Sequence, residues 1–161
     1  MSRRLFCLML VVTVLSLAAA GCDRQEESPP PHARVEKARS RVVVPESVQG
    51  QWKAVKIAIF DKQTEKETVY TVDIGYDFSV GDDGLRVKVE NFLPAFIMDG
   101  KVMTSASNAT KNPAAQIVIS KQEKVLFDGW LFSLYPSTHA FDHPRYSLTL
   151  VDFVPAGGKK G

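Results

Sequence analysis

"LRVKVENF", residues 85–92, decides the fold class. Leu85, Val87 and Val89 alternate with Arg86, Lys88 and Glu90. On a helix those apolar residues would scatter around the axis. On a strand they share one face, because successive side chains point to opposite sides. The octet is expected to be a strand with one face in a core and the other in water. Gly81-Asp82-Asp83-Gly84, just before it, consists of residues that tolerate positive φ, as a tight turn needs.

The same alternation recurs on both sides. "WKAVKIAIFD" (52–61) puts Val55, Ile57 and Ile59 on one face. "TVYTVDI" (68–74) returns after a polar loop at 62–66, so these two segments predict a hairpin. Residues 101–106 read as a short strand and 106–113 as a loop. "AQIVIS" (115–120) and "KVLFDGWLFSLY" (124–135) pair across 121–123, and "RYSLTLVDF" (145–153) is the last strand. No segment beyond the N-terminal apolar run holds a long 3.6-residue apolar period. The pattern predicts an all-β domain, a single antiparallel β-sandwich or small barrel of about seven or eight strands.

The N-terminus reads as an address. Arg3 and Arg4 precede an apolar run over residues 5–21 that ends in small residues. A charged start, a short apolar centre and a small-residue exit make a secretory signal peptide. The run is at the lower limit for crossing a bilayer of ~30 Å. Ala19-Ala20-Gly21-Cys22 resembles the lipobox of bacterial lipoproteins, with Ala19 where that pattern usually has Leu. The resemblance implies cleavage after Gly21 and acylation of Cys22, so that covalent lipid attaches the chain to a membrane. Asp23 resembles an inner-membrane retention signal. The expected location is the periplasmic face of the cell envelope, inner membrane favoured over outer.

Residues 22–44 then read as a lipidated cysteine followed by a disordered linker, with Pro29, Pro30 and Pro31 in succession. The all-β domain is expected over 45–155 and a disordered tail over 156–161. Removing 1–21 takes away Arg3 and Arg4 and no acid, which leaves basic and acidic side chains equal in number. The basic excess thus belongs to the signal and is no argument for nucleic acid. Near the end of the linker, Arg34, Lys37, Arg39 and Arg41 face a single acid, Glu36. That stretch reads as a solvated linker or as a contact for anionic headgroups. Cys7 leaves with the signal and Cys22 is consumed by lipid, so the processed domain has no thiol for a disulfide, a metal or a nucleophile.

Aromatic and titratable groups are densest in "FDGWLFSLYPSTHAFDHPRYSLTL" (127–150). As a strand it places Trp130, Phe132 and Leu134 on one face and Phe127 and Leu131 on the other. Such a strand is central or is covered by a partner. Gly129 inside it signals a bulge or a close approach of backbone. His139, Asp142 and His143 sit in a loop bracketed by Pro136 and Pro144. Two histidines four apart are a candidate metal pair, but the zinc-protease glutamate and a fixed third ligand are missing. The plainer reading gives them turn hydrogen bonds. "NFLPAFIMDG" (91–100) crowds Phe92, Leu93, Phe96, Ile97 and Met98 around Pro94, as a core plug or an exposed apolar rim. Phe96, Trp130, Phe132, His139, Asp142, His143 and Tyr146 are the candidate partner or ligand surface. Ser105 and Ser107 have no base near them in sequence, and Asp82 and Asp83 lack a calcium loop. No catalytic residue, metal site or cofactor is assigned.

The stretch 127–152 resembles the C-terminal signature of an uncharacterised proteobacterial envelope family, a domain of unknown function. The matching residues are Gly129, Trp130, Leu131, Phe132, Pro136, Asp142, His143, Pro144 and Tyr146. "WKAVKIAIFDKQT" and "LRVKVENFLP" are similar as well, so the resemblance spans 48–153. Many members carry a cysteine pair near Phe92 or Leu93 and near Phe153. This chain has none there, so no disulfide carries over. The resemblance implies secretion and a domain boundary, and no activity. The expected protein is a membrane-anchored periplasmic lipoprotein whose non-catalytic β-domain binds or scaffolds an envelope protein. The alternative is a small-ligand or metal-binding module on the His139-Asp142-His143 loop.

Overall fold

The computed structural model describes residues 40–157. Cys22, the signal segment, most of the expected linker and residues 158–161 lie outside the described residues. Ten strands and no helix occur among the described residues. They are β1 (Arg41–Val42), β2 (Trp52–Asp61), β3 (Lys66–Asp73), β4 (Asp77–Val80), β5 (Leu85–Leu93), β6 (Phe96–Asp99), β7 (Val102–Ser105), β8 (Ala114–Lys121), β9 (Lys124–Phe132) and β10 (Tyr146–Pro155). Three sheets result: an outer sheet β10-β2-β3, a central sheet β4-β5-β8-β9 and a small cover sheet β1-β7-β6. All pairings are antiparallel except β1 with β7.

The outer and central sheets form a sandwich. Val55, Ile57 and Ile59 of β2 and Leu148 and Leu150 of β10 meet Leu85, Val87 and Val89 of β5 and Ile117 and Ile119 of β8 in the main core. Among the described residues no ring of hydrogen-bonded strands closes, so the barrel alternative is not realised. The strand number exceeds expectation because β1, β4 and β6 are two to four residues long. Segments that short carry too little alternation to be read.

One bulge organises the second core. The β5–β8 register slips between Val89 and Asn91. An extra residue reverses which side chains face which way. Phe92 therefore stays in the main core, and Leu93 turns to the opposite face of the central sheet. There Leu93, Ala114, Trp130 and Phe132 pack against Val42, Val44, Phe96 and Met103 of the cover sheet and its entry. A similar slip between Leu150 and Asp152 in β10 leaves Val151 exposed and keeps Phe153 against the main core.

The last residues of the expected linker belong to this fold. Arg41 N–H donates to Lys101 O at 2.9 Å and Val43 N–H to Met103 O at 2.9 Å. The boundary expected at Pro45 thus moves back to Arg41, because the "VVV" run supplies apolar side chains that the small core buries. At the other end, Ala156 N–H donates to Gln51 O at 2.8 Å.

Candidate functional site

The residues proposed from sequence separate into two places. Phe96, Trp130 and Phe132 meet in the small core. The Phe96 ring lies 4.9 Å from that of Trp130 and 5.0 Å from that of Phe132, both edge to face. Trp130 and Phe132 are buried, so they hold the cover sheet to the central sheet and are not a surface. Burial of two large rings against a third is what makes so small a sheet stick. Ile97 and Met98, next along β6, are exposed. The "NFLPAFIMDG" stretch is therefore plug in its first half and rim in its second.

His143 and Tyr146 lie instead at the start of β10. His143 Nδ1 accepts hydrogen bonds from Arg145 N–H at 3.2 Å and Tyr146 N–H at 3.1 Å. Its ring is stacked between Phe141 and Tyr146, at 5.3 and 5.5 Å between centroids. The imidazole is thus a turn-builder whose Nδ1 lone pair is occupied. His139 and Asp142 are exposed, and His139 has a positive φ of 54°. Among the described residues no group of three His, Cys, Asp or Glu side chains could hold a metal ion. In this loop one histidine is spent on backbone and the other is exposed.

A polar cluster that the sequence did not announce surrounds Tyr146. Asp61 ends β2 and Arg145 precedes β10. Arg145 donates from Nε (3.1 Å) and Nη2 (2.8 Å) to Asp61 Oδ2, while Asp61 Oδ1 accepts from Gln63 N–H at 2.9 Å. Arg145 also reaches Asp82 at 3.4 Å and lies 4.8 Å from the Tyr146 ring centre. Tyr146 is buried, and its Oη and Asp83 Oδ1 have no hydrogen-bond partner among the described residues. A cavity of about 180 Å³ opens here, lined in part by Thr64, Thr68, Tyr70 and Gly81. Asp61 and Arg145 in its wall are spent on one another, and Arg145 also on Asp82, so these ties join the β2–β3 loop, the β4–β5 turn and β10.

The Arg145 guanidinium holds the Asp61 carboxyl at about 2, against desolvation, which acts the other way; the Gln63 N–H lowers it further. Arg145 is itself raised by the same hydrogen bond. Burial first, and then the Asp83 carboxylate, push the Tyr146 phenol above its ordinary value. Because the folded-state value of Asp61 lies below its unfolded value, its contribution is complete above the unfolded value. It is lost as pH falls through the interval down to about 2. Stability measured by urea unfolding is expected to decline from pH 5 to pH 2 in the wild type and to decline less in Asp61→Asn. Parallel profiles for the two proteins would remove Asp61 from the acid response.

The serines are structural. Ser105 Oγ accepts from Ala95 N–H at 2.9 Å and donates to Ser107 O at 2.8 Å, and Ser107 Oγ accepts from Ala109 N–H at 3.2 Å. Among the described residues neither hydroxyl is hydrogen-bonded to a basic side chain. A wider cleft, about 380 Å³, lies between the 44–50 segment and Trp52, Ile74, Asn91 and Phe92. Its side-chain amides are turned to the protein: Gln49 donates to Val44 O and Asn91 to Gln116 Oε1. The Trp52 indole N–H donates to Asn108 Oδ1 at 2.6 Å. The cleft thus has mixed walls and few unspent polar groups to fix a ligand's orientation.

The open face of the outer sheet offers more. With Val55, Ile57 and Ile59 inward, Ala54, Lys56, Ala58 and Phe60 must point outward. Phe60 is 37% exposed, Val69 on β3 51% and Val151 on β10 49%. Ala58, itself 3% exposed, pairs with Val69 on one side and Thr149 on the other, which makes an uncharged row across three strands. Its charged border includes the ion pair Lys56–Asp152, 2.8 Å. Sequence reasoning missed this face although its signal was present: Phe60 is out of phase with Val55, Ile57 and Ile59 and so has to face away from the core.

The sequence model of a bacterial family described as an uncharacterized protein conserved in bacteria (DUF2155) matches residues 55–152. Neither the curated proteins nor the solved structures contain a match.

Proposed function

This chain belongs to the uncharacterised bacterial family DUF2155, and from that premise we propose that it is a lipid-anchored envelope protein whose β-domain binds a protein partner without catalysing a reaction. The observation that carries the binding half is the open strip of the outer sheet. A sandwich normally turns polar side chains outward on a face that meets only water. Phe60, Val69 and Val151 break that rule on one sheet. The partner that fits is an envelope protein with an apolar surface bordered by charge, placed within reach of the tether. The anchoring half rests on Ala19-Ala20-Gly21-Cys22 and on the tether after it. Periplasmic exposure follows from that address, and the 129–146 stretch is read as part of the envelope family's signature.

A photo-crosslinking residue at Val69, in the full chain expressed in its own cell type, is expected to capture one specific protein. The same probe at Glu123, an exposed turn residue, is expected to capture none. Phe60→Glu should abolish the Val69 adduct while the domain keeps its fold. Equal yields from the two probes, or an adduct indifferent to Phe60→Glu, would remove the strip as a binding face. Mass spectrometry of the purified protein tests the anchor separately: Cys22 should carry lipid and be the first residue.

A further inference from the structure

The outward face of the cover sheet is a second surface, and its position in the chain says what it meets. In β1-β7-β6 the side chains of Val42, Met103 and Phe96 point into the small core. Their neighbours must point out: Arg41 and Val43 at one side, Ile97 and Asp99 at the other. Arg41 is exposed, Val43 is 37% exposed and Ile97 42%. Lys101, whose carbonyl receives the Arg41 N–H, is exposed beside them. Among the described residues neither Arg41 nor Lys101 makes an ion pair, and Asp99 is the acid on this sheet.

We propose that this face rests on an anionic phospholipid surface, with Arg41 and Lys101 among the headgroups and Ile97 and Val43 at their apolar border. Two facts choose lipid over protein. The chain enters the domain through this sheet, since β1 follows the tether directly. The sequence just before β1 carries Arg34, Lys37 and Arg39 against Glu36, an excess of positive charge next to this face along the chain. Basic side chains close to an anionic bilayer are attracted within a Debye length. A lipid anchor at Cys22, only 18 residues before Ser40, would hold the face at a high effective concentration beside the bilayer. The proposal rests on the anchored reading above, and it leaves the open strip of the outer sheet for a protein.

The test uses the anchored protein in vesicles of phosphatidylglycerol and phosphatidylcholine, with an environment-sensitive fluorophore on Ile97→Cys or, for comparison, on Val69→Cys. Quenchers attached to the lipid chains should dim the label at position 97 and spare the one at 69. Quenching should fall about threefold or more in half-molar salt, and again in Arg41→Glu/Lys101→Glu. A second arm uses the processed chain with Cys22→Ser, which cannot be acylated. It should cosediment at least about tenfold better with phosphatidylglycerol than with phosphatidylcholine vesicles. If position 97 stays unquenched in protein whose Cys22 is acylated, the docking face is wrong and the address survives. If Cys22 proves unmodified yet the Cys22→Ser chain binds anionic vesicles, the address fails and the face survives. Equal binding to both lipids overturns the face.

Discussion

Gly81→Ala is expected to cost about 2–4 kcal/mol, a fall in melting temperature of roughly 10–15 °C for a domain of this size. Two costs add. Gly81 has φ +61°, a left-handed conformation that an L side chain adopts only at a penalty. The new methyl would also overlap the Tyr146 phenol oxygen and lie 3.3 Å from Cζ. Neither obstacle moves easily, because Tyr146 is buried and its ring is stacked on His143. The two costs can be separated. Tyr146→Phe removes the oxygen, which has no hydrogen-bond partner among the described residues, so alone it should be neutral or stabilising by up to about 1 kcal/mol. In the Gly81→Ala background it should recover about 1–2 kcal/mol and leave only the backbone penalty. Urea unfolding of the four proteins closes the cycle. If Tyr146→Phe alone destabilises by more than about 1 kcal/mol, the phenol oxygen makes a stabilising hydrogen bond after all.

That turn shows what the sequence can and cannot convey. Gly81-Asp82-Asp83-Gly84 was legible as a turn because its residue types have a local physical reason to be there. The long strands were legible for the same reason: alternation over eight to ten residues is a local property. What the turn touches was not legible. The contact between Gly81 and Tyr146 joins residues 65 positions apart. The Asp61–Arg145 pair is more remote still, 84 positions apart, and no spacing rule announces it. The same limit explains the candidate surface. Phe96, Trp130 and Phe132 were marked by their size, and size alone does not tell a ring in a second core from one at an interface. The bulge at Val89–Asn91 made the difference by turning Leu93 to the far face of the central sheet. Gly129 was half legible. It marks a close approach, with the Phe127 ring folded over it at 2.6 Å from where a side chain would start, while the slip in β9 falls between Ile119/Phe127 and Ser120/Val125.

Trp130→Ala should be the most damaging single truncation in the small core, at about 3–5 kcal/mol. The indole is buried against Phe96 and beside Leu93, Ala114 and Phe132, and these neighbours belong to strands that cannot collapse inward without breaking register. The loss should also be uneven. The cover sheet has one two-residue strand and two of four residues, too few hydrogen bonds to persist without its apolar floor. Amide exchange in Trp130→Ala is therefore expected to accelerate first at Arg41, Val43 and the β6–β7 pairs, while β2, β5 and β8 stay protected until global unfolding. This outcome distinguishes a core role from a binding role. A residue that served only as a partner contact would lower affinity and leave the melting temperature and the exchange pattern of the free domain unchanged. Uniform loss of protection across all three sheets would mean that the cover sheet and the sandwich unfold as one unit. In that case the small core is part of the main folding unit and not a separate layer added to it.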